Sequence, residues 1–177
     1  MQSNLELKAR VASPDAIRRV AVEIGATPDG VMRQVDTYFR VSNGRLKLRV
    51  IDGDTGELIR YDRSETTDER VSQFERYEVA DHGALGTMLE AALGIDIVVR
   101  KRRELFWYKG ARVHLDDVEN LGAFVEFEIP SAGITDPEAL MSELRSAFSI
   151  NPRDILRPSY SDLLRERVRN KRNGIGS

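Results

Sequence analysis

The chain has 177 residues, a formal net charge of −2, a pI near 5.8 and no cysteine. That length suits one domain with a sizeable core. The even charge balance argues against a general nucleic-acid binder, and the absence of thiols excludes disulfides, thiolate chemistry and sulfur-based zinc sites. The opening residues carry no apolar leader and no run of about 20 apolar residues occurs, so a soluble cytoplasmic protein with no membrane partner is expected.

The chain opens on NLELKARV, which alternates like a strand. Side chains two apart on a strand share a face, so Glu6, Lys8 and Arg10 oppose Leu5, Leu7, Ala9 and Val11. SPDAIRRVAVEIGA reads as a helix: Ser13 can cap it, Pro14 suits its first turn, Gly25 can end it, and Ile17, Val20 and Ile24 form one apolar face. Strands follow at VMRQVDTYFRV, GRLKLRVI, ELIRYDR and RVSQFERYEVA, punctuated by SNG and DGDTG. A second helix spans about Gly83 to Leu93 and stops at Gly94. DIVVRKRRELFWY, ARVHLDD and FVEFEIP are three more strands. The NGR and KGA segments read as hairpin turns. A third helix starts at Asp136-Pro137 with Leu140, Leu144 and Phe148, and a fourth covers Ser159 to Arg169 with Tyr160, Leu163 and Leu164. One domain over residues 1–170 and a flexible tail over 171–177 are expected.

Eight strands in mostly hairpin order predict an α+β fold with a meandering antiparallel sheet, either open with one wet face or closed into a barrel. The polar residues bear on that choice. Arg45, Lys47 and Arg49 oppose Leu46, Leu48 and Val50. Lys101 and Arg103 share a face with Val99 and Leu105, while Arg100, Arg102 and Glu104 point the other way. Arg112, His114 and Asp116 oppose Val113 and Leu115, and Glu126 and Glu128 oppose Val125, Phe127 and Ile129. A solvated face usually mixes in Thr, Ser, Gln and Asn; here several strands carry almost only charge. Closing the sheet would turn those charges inward, at a cost of several kcal/mol per ion, roughly, so an inward charged face predicts a ligand. Lys and Arg match phosphate oxygens, and Glu6, Glu126 and Glu128 are hard oxygen ligands suited to Mg²⁺ or Mn²⁺.

NLELK at the start, QVDTYF, GRLKLR, ELIRYDR, VVRKRREL, HLDDVENLGAFVEFE and the late SYSDLL together resemble, in order and over nearly the whole chain, the CYTH superfamily of triphosphate-tunnel proteins. HLDDVENLGAFVEFE is most similar to the class IV adenylate cyclase branch. The resemblance implies a closed eight-stranded antiparallel barrel, open at both ends, with helices packed outside. It implies that Glu6, Glu126 and Glu128 hold metal, with Asp116 a weaker candidate, and that Lys8, Lys47, Arg49, Arg63, Lys101, Arg103 and Arg112 hold phosphates. Lys8, Lys101 and Arg103 would also act in catalysis. Asn4 departs from the family pattern: it stands where the first Glu of ExExK is expected and removes one negative charge from the metal end.

Other features have plainer readings. RKRR at 100–103 splits two and two across a strand and is no continuous nucleic-acid patch. His114 is a base, a ligand or a hydrogen-bonded strand residue. Asp36 and Tyr38 fix a hairpin or line the tunnel mouth. Phe106 and Trp107 pack, Tyr160 docks the last helix, and Arg10 and Arg45 are solvated near strand ends. No GxxxxGK[ST] loop is present.

The activity implied by the resemblance is conversion of ATP to cyclic AMP and pyrophosphate, with Mg²⁺ or Mn²⁺ activating the ribose hydroxyl and bridging phosphates. The alternatives are hydrolysis of tripolyphosphate, thiamine triphosphate or a nucleotide, and non-catalytic polyphosphate binding. The partner is ATP or another triphosphate, with no nucleic acid; a homodimer is compatible with this reading. Removing an inward cation is expected to weaken the triphosphate grip without lowering stability.

Overall fold

The computed structural model describes residues 2–63 and 70–174; the side chains at positions 2, 63 and 70–72 also lie outside the described set. The strands are β1 (Gln2–Arg10), β2 (Thr27–Phe39), β3 (Arg45–Ile51), β4 (Thr55–Arg63), β5 (Arg70–Val79), β6 (Ile95–Tyr108), β7 (Ala111–Val118) and β8 (Gly122–Pro130). They close into an antiparallel barrel in the order β1-β5-β4-β3-β2-β6-β7-β8.

The order is a meander only within two blocks. β2 through β5 and β6 through β8 run hairpin by hairpin. β1 does not lie beside β2; it closes the seam, pairing with β5 from Gln2↔Phe74 to Glu6↔Arg70 and with β8 from Asn4↔Pro130 to Arg10↔Phe124. Beyond Glu6 the β5 side of β1 is taken over by Ile155, bridged to Ala9, and by Leu156, whose N–H donates to the Lys8 carbonyl at 2.8 Å. The tight turns are those the sequence marks: Asp52, Gly53 and Asp54 join β3 to β4, the first two with positive φ, and Lys109 and Gly110, both with positive φ, join β6 to β7. The second is the backbone a two-residue hairpin with the right twist requires.

Strand alternation then sorts the side chains. On the outer face of β1, β7 and β8, Leu5, Leu7, Val113, Val125, Phe127 and Ile129 are buried under two helices. These are α1 (Pro14–Glu23), capped by Ser13 Oγ, and α3 (Pro137–Ala147), capped by Asp136. α3 contributes Met141 and Leu144, both fully buried. Each such side chain is worth about 1.5–3 kcal/mol on leaving water, so this layer is the main apolar store of the fold. α2 (His82–Leu93) lies beside β2, β3 and β4 and buries none of its side chains.

The fourth helix departs from the expected arrangement. α4 (Tyr160–Arg172) does not merely pack outside. A second apolar cluster sits inside the barrel near one end, built from Tyr38, Ile59, Tyr61, Val99 and Phe124, and Tyr160 and Leu164 of α4 complete it. One mouth of the tunnel is therefore covered, where the resemblance implied two open ends. Arg45 is not solvated: its Nη1 donates to Ser159 Oγ at 2.8 Å and lies 3.0 Å from Asp162 Oδ2. It thus clasps the Ser159–Asp162 capping box at the start of α4. The helix also continues through Arg172, two residues into the segment expected as a tail.

Candidate functional site

The inward faces enclose a cavity of about 700 Å³. Among the described residues seven basic side chains line it, Lys8, Lys47, Arg49, Arg76, Lys101, Arg103 and Arg112, against the carboxylates Glu6, Asp36, Glu126 and Glu128. Of the expected phosphate ligands, six are brought together there; Arg63 has its side chain outside the described residues. The split within RKRR follows the alternation: Lys101 and Arg103 are buried on the cavity side, Arg100 and Arg102 are exposed.

The charges are not a crowd of bare cations. They are paired with carboxylates in two networks. On β2 and β3, Asp36 receives Arg49 through both oxygens, at 2.7 and 2.9 Å, and Lys47 at 2.7 Å. Burial alone would push the Asp36 carboxyl up, but Arg49 and Lys47 hold it well below the usual carboxylate range. Asp36 and Tyr38 thus line the tunnel rather than fix a hairpin. On the opposite wall Arg103 is bidentate to Asp116, both contacts at 2.6 Å, and its Nη2 reaches Glu126 Oε2 at 2.8 Å. Burial opposes the charge on Arg103, yet Asp116 and then Glu126 and Glu128 raise it well above its ordinary value. Lys8 pairs with the other oxygen of Glu126, and Arg112 Nη2 lies 3.0 Å from Glu128 Oε2. Such bidentate, desolvated contacts are the stronger kind of ion pair.

Lys101 differs from its neighbours. Its ion pair with Asp116 is long at 3.3 Å, while burial and then Arg103 push its amine down to about 7. His114 is neutral, because burial and then Arg103 lower its imidazole to about 3.

The expected metal ligands do not all converge. His114, Glu126 and Glu128 offer donor atoms within 4.8 Å of one another, and His114 Nδ1 is buried with no hydrogen-bond partner. A divalent ion fits that donor set, two hard carboxylates and one orphaned nitrogen. Glu6 lines the cavity opposite Glu128 on β1 but is outside this trio. Asp116 is outside it too; its oxygens accept from Arg103, Lys101 and the Tyr160 hydroxyl. Asn4 is buried and, with its amide turned to satisfy both groups, accepts from Arg112 Nη2 at 3.1 Å.

Sequence reasoning missed several lining residues. Arg76 shares its face with Phe74 in RVSQFERYEV, and the same alternation could have found it. Tyr61 was equally legible on ELIRYDR. Tyr160 as a cavity wall was not, because a helix capping a barrel leaves no periodic mark on the strands. Phe106 packs in the core as expected, whereas Trp107 is 39% exposed and donates to Asp29 at 2.8 Å.

The sequence profile of the CYTH domain matches residues 2–153. A protein of Methanocaldococcus jannaschii named a putative adenylate cyclase is 28% identical over 137 residues, covering 73% of this chain and 75% of that one. A solved structure from Pyrococcus horikoshii superposes with a TM-score of 0.79 at 23% identity, over 90% of this chain and 98% of that one. A Hippeastrum protein, described as a putative adenylyl cyclase with a dominant triphosphatase activity, gives 0.65 at 14% identity, over 94% and 96%. No helix among the described residues is long and apolar enough to cross a membrane.

Proposed function

This chain belongs to the CYTH family, whose proteins bind triphosphate substrates, and from that premise we propose that the tunnel is a metal-dependent active site that cyclises ATP to cyclic AMP and pyrophosphate. The observation that supports this reading is the composition of one continuous wall. A surplus of cations lies beside an uncharged band of Tyr38, Ile59, Tyr61, Phe74 and Tyr160. A bare polyphosphate has no apolar surface to place on that band; a nucleoside triphosphate does. The volume also lies in the range of organic-ligand sites, roughly 300–1,000 Å³.

In this reading Lys8, Lys47, Arg49, Lys101, Arg103 and Arg112 grip the triphosphate, the guanidinium groups in bidentate fashion. The ribose 3′-oxygen forms its bond to the α-phosphorus as the bond from that phosphorus to the bridging oxygen breaks. The electron pair leaves on pyrophosphate, where the fixed cations stabilise it, and the hydroxyl proton passes to solvent. A divalent ion, Mg²⁺ or Mn²⁺, held by Glu126 and Glu128 would add positive charge at the phosphate oxygens and lower the pKa of the attacking hydroxyl.

Hydrolysis is the second reading. It is favoured by Lys101, whose amine near 7 can accept a proton from an attacking water, and it accords with the activity described for the Hippeastrum protein. One assay separates the two. The protein is incubated with ATP, tripolyphosphate or thiamine triphosphate plus Mg²⁺ or Mn²⁺, and products are identified. Cyclic AMP with pyrophosphate is expected; free phosphate with the corresponding diphosphate, and no cyclic AMP, would replace cyclisation by hydrolysis. Binding without turnover would make the protein a polyphosphate binder.

A further inference from the structure

We propose that His114, Glu126 and Glu128 form a mixed nitrogen–oxygen site that selects a transition-series divalent cation, of the Mn²⁺, Co²⁺ or Zn²⁺ class, over Mg²⁺. The proposal rests on the metal-dependent reading of the tunnel and adds the identity of the ion.

The site follows from strand register. β7 and β8 place His114 directly opposite Glu126, and Arg112 opposite Glu128, so the imidazole lies across from one carboxylate and one inward step from the other. All three donor atoms fall within 4.8 Å of one another. Metal bonds of about 2.0–2.2 Å put paired donors up to roughly 4 Å apart, so a small contraction completes the set.

His114 is the informative member. It is only 3% exposed, and its Nδ1 has no hydrogen-bond partner. Glu128 Oε1, at 3.6 Å, stands too far for a hydrogen bond. A buried polar atom left unmade carries a desolvation cost that native proteins rarely accept without a use. Mg²⁺ does not supply that use. It favours oxygen ligands in a strict octahedron and retains its waters, whereas imidazole nitrogen suits the later first-row ions.

The surrounding cations explain how the ion and a triphosphate come to depend on each other. Lys8 and Arg103 occupy Glu126, and Arg112 occupies Glu128. Phosphate oxygens compete for those same cations and so release the carboxylates toward the ion. The ion and the triphosphate therefore bind best together.

The test is pulsed electron paramagnetic resonance of Mn²⁺ added to the full chain, alone and with tripolyphosphate, which contains no nitrogen. Coupling to a ¹⁴N nucleus is expected, converting to ¹⁵N coupling when the protein is grown on ¹⁵N-histidine. The chain has two histidines; His82 opens α2, and H82Q is expected to leave the coupling intact. Competition should show Mn²⁺ held against Mg²⁺ by about tenfold or more, with H114Q losing that margin. The labelled wild-type signal needs no variant, so poor folding of H114Q leaves the test standing. Bound Mn²⁺ without histidine coupling, equal binding of Mn²⁺ and Mg²⁺, or no binding of Mn²⁺ would each overturn the proposal. Tripolyphosphate binding measured calorimetrically in EDTA reads the underlying function separately. Its absence would remove the triphosphate tunnel, while the Mn²⁺-only spectra would still judge His114.

Discussion

The Tyr160 hydroxyl donates a 2.9 Å hydrogen bond to Asp116 Oδ2 and so ties the first turn of α4 to the inner face of β7. The same ring packs on Phe124, 5.0 Å between centroids, and lies 4.1 Å from Lys8 Nζ and 5.3 Å from Lys101 Nζ. One aromatic side chain thus both covers a tunnel mouth and touches the ion-pair network of the cavity wall. Y160F should cost about 1.5 kcal/mol for the lost bond to a charged acceptor, whereas Y160A should cost about 3–5 kcal/mol through the cavity it opens. Denaturant titration reads both. Equal losses would mean that the hydroxyl carries the whole effect and the ring none.

Inward and outward cations on β6 should separate cleanly. K101M is expected to weaken tripolyphosphate binding by roughly ten- to a hundredfold, and R100M and R102M to change it little, since exposed charges are worth under about 1 kcal/mol. If all three weakened binding alike, the site would be an open basic patch and not a tunnel.

The structure reverses the expectation that an inward cation can be removed without loss of stability. Arg103 holds Asp116 and Glu126, both buried, so R103A takes the bidentate partner from one and leaves the other with Lys8 alone, and should destabilise the ligand-free protein by about 3 kcal/mol. A melting temperature unchanged from wild type would show that those carboxylates are not desolvated.

Lys101 should give the protein a pH signature. Burial, then Arg103, lower its amine in the folded state to about 7 from an ordinary 10.5. Between those values the unfolded chain holds a proton that the folded one has released, so stability rises as pH climbs through that window, and K101M should remove the rise. A bound polyanion restores the charge. Tripolyphosphate binding at pH 8 should therefore take up a proton, seen as a dependence of the calorimetric enthalpy on the buffer's ionisation heat. No such dependence would mean that Lys101 is already charged at pH 8 or remote from the phosphates.

At the metal end, N4E should tighten divalent-ion binding. Asn4 now accepts from Arg112, which also pairs with Glu128; a carboxylate at position 4 would draw Arg112 off Glu128 and add a hard oxygen. Calorimetric titration of Mn²⁺ into both forms decides this. Unchanged affinity would place residue 4 outside the ion's surroundings.

What the sequence determined by itself is the sorting of side chains along each strand. Alternation is local: two residues on one strand share a face whatever the rest of the chain does, so Lys47 could be grouped with Arg49, and Lys101 with Arg103 apart from Arg100 and Arg102, before any neighbour was known, while the gathering of cations from different strands was implied only by the family resemblance. The hairpin turns and helix caps were legible for the same reason, since Asp52-Gly53, Lys109-Gly110 and Ser13-Pro14 act within a few residues of themselves. The tertiary structure decided what depends on pairing across long separations. β1 closes the seam between β5 and β8, and nothing in NLELKAR names those partners. Register alone decides that Arg103 meets Asp116 and that His114 meets Glu126, which sets Asp116 against a guanidinium and leaves His114 beside two carboxylates. The cap formed by Tyr160 and clasped by Arg45 arises from contacts far apart in sequence, 44 residues to Asp116 and 114 between Arg45 and Ser159, where local pattern carries no information.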